Sequence, residues 1–235
     1  MHSSFFFFHS PEIWERHPEL VPGVLLAQGI HENANVQAQV AHYHGVARAR
    51  LEAVGSEADL PEIQAWRRTF ARMGLKPTQY RCASESLLRR FRKEGALPPI
   101  HPLVDLCNAL SLAFAIPIAV FDLSKVAEGL QVRCADGTES YLAFSGETET
   151  PDRGEVVFAD AAGCAHARRW THRQSARSAV RDETSRVLIV AEALHADAAN
   201  DVRQLLDALS RALAETWAPP AACALLRKDA PRLAF

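Results

Sequence analysis

The segment PLVDLCNALSLAFAIPIAVFD, residues 102–122, decides the fold class of this chain. In its first two thirds, apolar residues recur at steps of three and four, which predicts a mostly buried helix from Pro102 to Ala115. Pro117 cannot continue a helix, and the run from Ile118 to Phe121 has the composition of a strand. The apolar spacing thus changes here from the helical period to the strand period.

Helical patterns precede this point and strand patterns follow it. Before it, we predict a short helix after Pro11, a strand over Val24 to Ala27, and helices over Ala34 to Val54, from Pro61, and over Ser84 to Lys93 with Ser84 as N-cap. After it, we predict strands at Leu130 to Cys134, Ser140 to Phe144, Glu155 to Phe158, Cys164 to Arg168 and Val187 to Ala191, and a last helix over Ala198 to Trp217. Helices first, strands second and a helix last is an α+β order.

Length and composition fit one ordinary folded domain or two small ones. The 235 residues are 48% hydrophobic, with 11 Gly and 13 Pro, which excludes disordered and collagen-like classes. No apolar run is long enough to span a bilayer. The run Phe5 to Phe8 lacks the features of a signal peptide, and we expect it to form a terminal strand or to contact a partner subunit.

Five cysteines with no CxxC motif indicate neither a disulfide framework nor a zinc ribbon. We therefore expect reduced thiols in the cytoplasm. His42 and His44 lie two residues apart on a helix, which is not the spacing of a metal-binding pair. No cofactor fingerprint is present, and we expect neither a metal nor a cofactor.

The net charge of −2 conceals two basic blocks. The first block, Arg67 to Lys93, has nine Lys or Arg and one acid, and the second, His166 to Arg181, has five Arg and no acid. An acidic block with seven acids, Asp136 to Asp160, lies between them. The first block is also typical of a solvated surface. The second mixes arginines with aromatic and hydrogen-bonding residues, as a surface for nucleic acid or an anionic ligand requires.

Two stretches resemble the B3/B4 tRNA-binding domain of the bacterial phenylalanyl-tRNA synthetase β subunit and its free-standing relatives. Residues 100–108, IHPLVDLCN, and 116–122, IPIAVFD, are similar to the family's Val-Asp-x-Thr-Asn helix and the Gly-Gln-Pro-Leu-His-Ala-Phe-Asp strand after it. Residues 154–160, GEVVFAD, and 169–175, RWTHRQS, are similar to stand-alone members, which have a Trp-x-x-Arg-Gln-Ser signature. The resemblance covers about Pro11 to Leu194.

The resemblance implies mixed β-sheets with packed helices and a single B3/B4-type domain over residues 1–235. Within it we expect a helical part at about 1–115, a strand-rich part at about 116–194 and a C-terminal helix at about 196–217. It further implies a cytoplasmic trans-editing factor that binds the acceptor end of tRNA and hydrolyses misacylated aminoacyl-tRNA, without DNA or membrane as a partner. Two alternatives remain open: a non-catalytic RNA-binding or regulatory module, and a binder of amino-acid-like small molecules without tRNA recognition.

The family's pocket carries over in part. Asn108 matches its helix asparagine and Asp105 the preceding acid, whereas the family histidine falls on Ala119. The family's loop glutamate has no counterpart in the loop from His172 to Ser175.

We assign the candidate residues by role. The candidate catalytic residues are Asn108, Arg173, Gln174 and His172. The candidate substrate-binding residues are Asp105, Ser175 and Asp160. The candidate tRNA-binding residues are Arg89, Arg90, Arg168, Arg169 and Arg177.

Each assignment has a structural alternative. Asp105 and Asn108 share one helix face, where a buried polar pair can instead tie neighbouring backbone. Arg173 can form a structural bridge to Asp160 or Glu192. His172 suits a general base but can equally be a structural histidine.

Overall fold

Two β-sheets and the helices packed on them make up the computed structural model, which describes residues 5–235. The helices are α1 Pro11–Arg16, α2 Gln37–Val54, α3 Pro61–Arg72, α4 Ala83–Glu94, α5 Pro102–Phe114 and α6 Ala198–Thr216. The strands are β1 Phe6–His9, β2 Val21–Gln28, β3 Ile118–Asp122, β4 Gly129–Cys134, β5 Ser140–Leu142, β6 Thr148–Glu149, β7 Val156–Asp160, β8 Cys164–Arg168, β9 Arg173–Gln174, β10 Arg186–Ala193, β11 Ala222–Leu225 and β12 Arg232–Ala234.

The larger sheet has eight strands in the order β12-β1-β4-β7-β8-β5-β6, with β9 also paired to β8. The smaller sheet has four strands in the order β11-β2-β10-β3. In the larger sheet, β1 runs parallel to β4 and β5 parallel to β8, while the remaining pairs are antiparallel. The predicted α+β class with mixed sheets is therefore confirmed.

Strand β10 explains how the two sheets and their helices share buried surface. Leu188 and Val190 face a cluster that includes Phe121 and Phe158 and so joins the two sheets. Val187 and Ile189 face the opposite cluster, which contains the apolar sides of α5 and α6. Because both faces of β10 are covered, its sequence is an almost continuous apolar run. This strand places its one acidic residue, Glu192, in the interior.

Most predicted elements lie where the apolar pattern put them, with shifted ends. Strand β2 begins at Val21 rather than Val24. The predicted N-cap at Ser84 is wrong, because Cys82 has the extended backbone of the N-cap. Ser84 is instead buried in the first turn of α4, with its hydroxyl 3.4 Å from the Cys82 sulfur.

The run Phe5 to Phe8 contains most of strand β1, which supports the terminal-strand expectation. Phe7 is fully buried, and β1 pairs with β4 on one side and with β12 near the C-terminus on the other.

Strands β6, β9, β11 and β12 are absent from the sequence-based prediction, since they are short or lie at sheet edges. The single domain over residues 1–235 stays a prediction. No helix in residues 5–235 is both long and apolar enough to cross a bilayer.

The pairing of β1 with β4 depends on a glycine. A Cβ at Gly129 would lie 2.5 Å from the backbone oxygen of Phe6, a distance that requires the strands to move apart. Gly45 on α2 is a natural contrast, because it is exposed and a Cβ there meets nothing within 4 Å.

We predict that Gly129→Ala and Gly45→Ala change stability in opposite directions. Gly129→Ala should lower the free energy of unfolding by about 1–3 kcal/mol, because the added methyl group overpacks two paired strands. Gly45→Ala should raise it by up to about 1 kcal/mol, because alanine is the better helix former. Urea denaturation of both variants and the wild type measures the two changes. Midpoints that shift in the same direction would contradict this explanation of Gly129.

Candidate functional site

Two neighbouring cavities lie where the sheets meet the loop between β8 and β9. The inner cavity, of about 50 Å³, is lined by residues that include His172, Arg173, Gln174 and Glu192. The rim cavity, of about 210 Å³, is lined by residues that include Asn108 and Gln174. Gln174 belongs to both, so the two cavities adjoin through its side chain.

The loop that carries His172 is held in an unusual backbone conformation. Arg169 and Trp170 have φ angles of 48° and 57°, the left-handed region that is unfavourable for residues other than glycine. The Arg169 N–H donates to the Glu155 carboxylate at 3.0 Å, and the Trp170 N–H donates to the Val156 carbonyl at 2.8 Å. These bonds fix the turn and thereby the direction of the residues that follow it.

Glu192 supplies the buried carboxylate of the inner cavity. One of its oxygens lies 2.6 Å from His9 Nε2, and the Trp170 indole N–H donates to both oxygens at 3.1 Å. The residue is 2% exposed. From the sequence, Glu192 is expected only as a structural partner of Arg173. The available signal was an acid within the apolar run of β10, and such an acid must be satisfied by partners from elsewhere in the fold.

His172 is oriented by a backbone hydrogen bond. Its Nδ1 lies 2.8 Å from the Arg81 carbonyl oxygen, and because a carbonyl only accepts, Nδ1 carries the proton. Burial lowers the pKa of His172 below its usual 6.5, and the charges of Arg169 and Arg173 act in the same direction, against the opposing effect of the Arg81 carbonyl. The imidazole is therefore neutral near pH 7, and Nε2 has a free lone pair.

Arg173 and Gln174 line the inner cavity, yet both are engaged with the protein. The Arg173 guanidinium donates to the two Glu149 oxygens at 3.1 and 3.0 Å and lies over the Tyr141 ring. Its partner is thus Glu149, and neither bridge suggested by the sequence forms. Gln174 donates from Nε2 to the Val120 carbonyl, a bond that leaves its own side-chain oxygen as an acceptor.

Asn108 shares the rim cavity with Gln174, but it does not line a cavity with Arg173. On its other side, Asn108 borders a further cavity of about 140 Å³ together with Asp105 and His44. Asp105 accepts the Ile100 backbone N–H at 2.9 Å, the backbone-tying role that was its structural alternative. Burial raises the pKa of Asp105.

Ser175 and Asp160 line neither the inner nor the rim cavity. The Ser175 hydroxyl donates to the Leu142 carbonyl at 2.9 Å and is fully buried. Asp160 accepts backbone N–H groups of Ala127 and Cys164 and lies 3.1 Å from His166 Nε2. Burial alone would raise the pKa of Asp160, but these hydrogen bonds outweigh it and lower the pKa to about 2.

Asp160 belongs to a buried arrangement that resembles a catalytic triad. His166 Nδ1 lies 2.8 Å from the Ser178 hydroxyl, and its Nε2 faces Asp160. Distances of this kind suit a serine nucleophile with its base. However, Ser178 and His166 are fully buried, so no substrate carbonyl reaches the hydroxyl. We therefore interpret this group as a structural network.

Two candidate tRNA-binding arginines of the second basic block are engaged by other side chains of the protein. Arg168 is 4% exposed and forms ion pairs with Glu155 at 2.8 Å and with Glu149 at 2.5 Å. Arg169 lies over the Tyr80 ring, with Glu155 at 3.8 Å. Acids of the acidic block thus neutralise these arginines.

The other three candidates lie nearer the solvent. Arg89 faces Glu57 at 3.9 Å and Arg90 pairs with Glu94 at 2.9 Å. Arg177 is exposed and makes no ion pair within residues 5–235. Its charge is therefore available to a ligand.

One group of side chains has the composition of a metal site. Glu62, His195 and Asp201 have potential ligand atoms within 4.8 Å of one another. These side chains already have partners, since Glu62 pairs with Arg50 at 2.6 Å and His195 with Asp201 at 2.7 Å. The prediction that the protein uses no metal or cofactor stays a prediction.

These features define an α+β protein with a small, mostly apolar cavity that contains the Glu192 carboxylate beneath a strained loop. The B3/4 domain model matches residues 65–213, which is more than half of the chain, and the chain belongs to the B3/4 domain family.

The curated relatives are phenylalanine–tRNA ligase β subunits. That of Cereibacter sphaeroides is 37% identical over 74 residues, which is 32% of this chain and 9% of the relative. That of Rhodopseudomonas palustris is 42% identical over 76 residues, again 32% of this chain and 9% of the relative. The chain thus spans about a tenth of the length of these relatives.

A solved structure is also similar to this chain. It is an N-terminal fragment of the phenylalanyl-tRNA synthetase β subunit from Pyrococcus horikoshii. The TM-score is 0.47 at 12% identity, and the match covers 89% of this chain and 48% of the fragment.

We predict that Asp160→Asn destabilises the protein by about 2 kcal/mol at neutral pH, because a pKa lowered in the folded state is a stabilisation of that size. The stabilisation is present above the unfolded pKa of 3.8 and is lost as the pH falls towards 2. The difference between wild type and variant should therefore shrink between about pH 4 and pH 2.

Urea denaturation across this pH range measures the effect. Asp152→Asn is the control, since Asp152 is exposed and should show no such difference. A difference for Asp160→Asn that is the same at pH 3 and pH 7 would rule out the charged hydrogen-bonded carboxylate as its cause.

Proposed function

We propose that this protein binds the acceptor end of tRNA and hydrolyses the ester of misacylated aminoacyl-tRNA in the inner cavity. The observation that carries the proposal is the neutral, oriented imidazole of His172 in a cavity that also contains the Glu192 carboxylate. The family relationship adds support, because the curated relatives are named as ligases that act on tRNA.

The chemistry follows from the lone pair on His172 Nε2. This nitrogen accepts a proton from a water molecule while the water oxygen bonds to the ester carbonyl carbon. The bond from that carbon to the ribose oxygen then breaks, and the proton passes to the ribose oxygen. Asn108 lines the rim cavity, which adjoins the inner cavity at Gln174. It makes no side-chain hydrogen bond within the described part of the chain, so its amide is free to bind the ribose of the terminal nucleotide next to the ester.

Glu192 explains why an aminoacyl group suits the inner cavity. Such a group carries an α-ammonium, and a carboxylate stabilises a cation strongly where water is excluded. Glu192 accepts hydrogen bonds from His9 and Trp170. A carboxylate has about four acceptor positions, so capacity remains for a substrate ammonium. In this proposal, Glu192 contributes the acidic group that the loop from His172 to Ser175 lacks.

A second candidate function is the binding of an amino-acid-like small molecule without tRNA. It is favoured by the ion pairs of Arg168 and Arg90, which leave less positive charge for a polyanion than the sequence suggests. Salt dependence separates the two functions, because contacts to phosphates release counterions and binding to a small zwitterion does not.

We predict that His172→Gln lowers the hydrolysis rate by about 10²–10⁴-fold, as expected for loss of a general base. In the wild type, the rate should level off at higher pH and fall as the pH drops through the pKa of His172, which burial lowers below its usual 6.5. Release of the amino acid from a panel of mischarged tRNAs, measured from pH 5 to pH 8, tests both statements.

His42→Gln is the matched control, because His42 is an exposed histidine on α2 and should leave rate and pH profile unchanged. Wild-type protein that binds tRNA but releases no amino acid from any charged tRNA would contradict the catalytic proposal. An unchanged rate in His172→Gln would refute the role of His172.

We predict that Arg177→Ala weakens tRNA binding and reduces the slope of log K against log salt by about 1, the loss of one phosphate contact. Arg203→Ala removes the same charge from an exposed position on α6, outside both basic blocks, and should leave the slope unchanged. Fluorescence anisotropy over a salt titration gives both slopes. Wild-type binding that does not depend on salt would favour the small-molecule function instead.

A further inference from the structure

The rim cavity has an exposed apolar border. Phe144 is 68% exposed and Ile100 is 67% exposed, and both line this cavity. Val46 and Val54, the other exposed large apolar residues within residues 5–235, are 38% and 36% exposed on α2. Single exposed apolar residues are common on proteins. Two highly exposed ones on the border of one cavity suggest a surface that an apolar ligand covers.

Phe144 occupies a position where the local structure does not call for an aromatic residue. It lies in the turn between β5 and β6, which is closed by a 3.0 Å hydrogen bond from the Gly146 N–H to the Ala143 carbonyl. Gly146 has a φ angle of 90°, and turns of this kind favour small polar residues. Ala143 is buried beside Tyr141. This packing anchors the turn, so the exposed Phe144 ring has a fixed position.

Positive charge lines the same cavity as this ring. Arg181 lines the same cavity, and both Arg177 and Arg181 are exposed. Neither forms an ion pair within the part of the chain that the structure describes. An exposed aromatic ring and an unpaired arginine on the border of one cavity are the combination that binds a single-stranded nucleotide, with stacking on the base and ion pairing with the phosphate.

We propose that Phe144 is the stacking platform for the terminal nucleobase of the tRNA acceptor strand, with Ile100 in apolar contact with the same base and Arg181 on its phosphate. This inference rests on the proposed function and adds the place where the nucleotide binds. It fits the arrangement of the cavities: the ester enters the inner cavity past Gln174, and the base, one ribose away from the ester, stays at the outer border. Phe144 is a binding residue and takes no part in the proton transfer.

The test compares intact tRNA with tRNA that lacks its 3′-terminal nucleotide. Phe144→Leu should weaken binding of intact tRNA by about 5–150-fold, the range that corresponds to loss of one base–aromatic stack, and should not affect the truncated tRNA. Phe144→Tyr retains the ring and should bind both tRNAs like the wild type. Val46→Ala is the control for removal of exposed apolar surface elsewhere. Anisotropy measures binding, and urea denaturation confirms that each variant is folded.

Equal weakening of both tRNAs by Phe144→Leu, or weakening of neither, would overturn the inference while the proposed function stands. Wild-type protein that binds no tRNA would overturn both. Hydrolysis adds a second readout: Phe144→Leu should raise KM for mischarged tRNA and leave kcat within about twofold, since the stack is remote from the ester. A fall in kcat with unchanged KM would place Phe144 in the chemical step and contradict its role as a platform.

Discussion

The buried carboxylate of Glu192 is the interaction on which the rest of the structure depends. It lies on β10 in the smaller sheet, accepts a hydrogen bond from His9 on β1 in the larger sheet, and holds the indole of Trp170 in the loop above. The Glu192 backbone carbonyl also accepts the Trp66 indole N–H from α3. Removing one partner from such a buried network leaves an uncompensated charge, which costs several kcal/mol. Glu192 thus joins the two sheets and also lines the inner cavity.

The strained turn at Arg169 and Trp170 is a consequence of that network. Two successive residues in the left-handed region cost about 1–3 kcal/mol each, and here the Glu155 carboxylate and the Trp170–Glu192 bond offset the cost. The turn directs His172 towards the Arg81 carbonyl, which selects the tautomer. The acid–base properties of the site thus depend on Glu155, Glu192 and Arg81, none of which is near His172 in the sequence.

This separation explains what the sequence predicts and what it does not. The change of apolar period at Pro117 predicts the α+β class. The sequence also places His172 and Gln174 in one site, because they belong to the same short loop and line one cavity. The partners of Arg168 and Arg173 cannot be predicted in this way. Glu149 and Glu155 lie in the acidic block, and sheet pairing brings them to these arginines. The pairing of β7 with β8 brings Glu155 close, and the pairing of β6 with β5 and of β5 with β8 brings Glu149 close. The acidic block thus neutralises part of the second basic block, an effect that net charge per segment does not reveal.

In the proposed function, the same neutralisation constrains how a nucleic acid binds. With Arg168 and Arg169 turned towards Glu155, the second block offers a polyanion chiefly Arg177 and Arg181. Two phosphate contacts contribute little affinity at physiological salt, so in the proposed complex the second block supplies only a small part of the binding energy for tRNA. A stacked terminal base and a bound aminoacyl group are the further contributions in this proposal, and the two occur together only at the charged 3′ end. In the proposed function, the few unpaired charges of the second block and the buried Glu192 carboxylate of the inner cavity together favour recognition of the charged end of tRNA over recognition of its body.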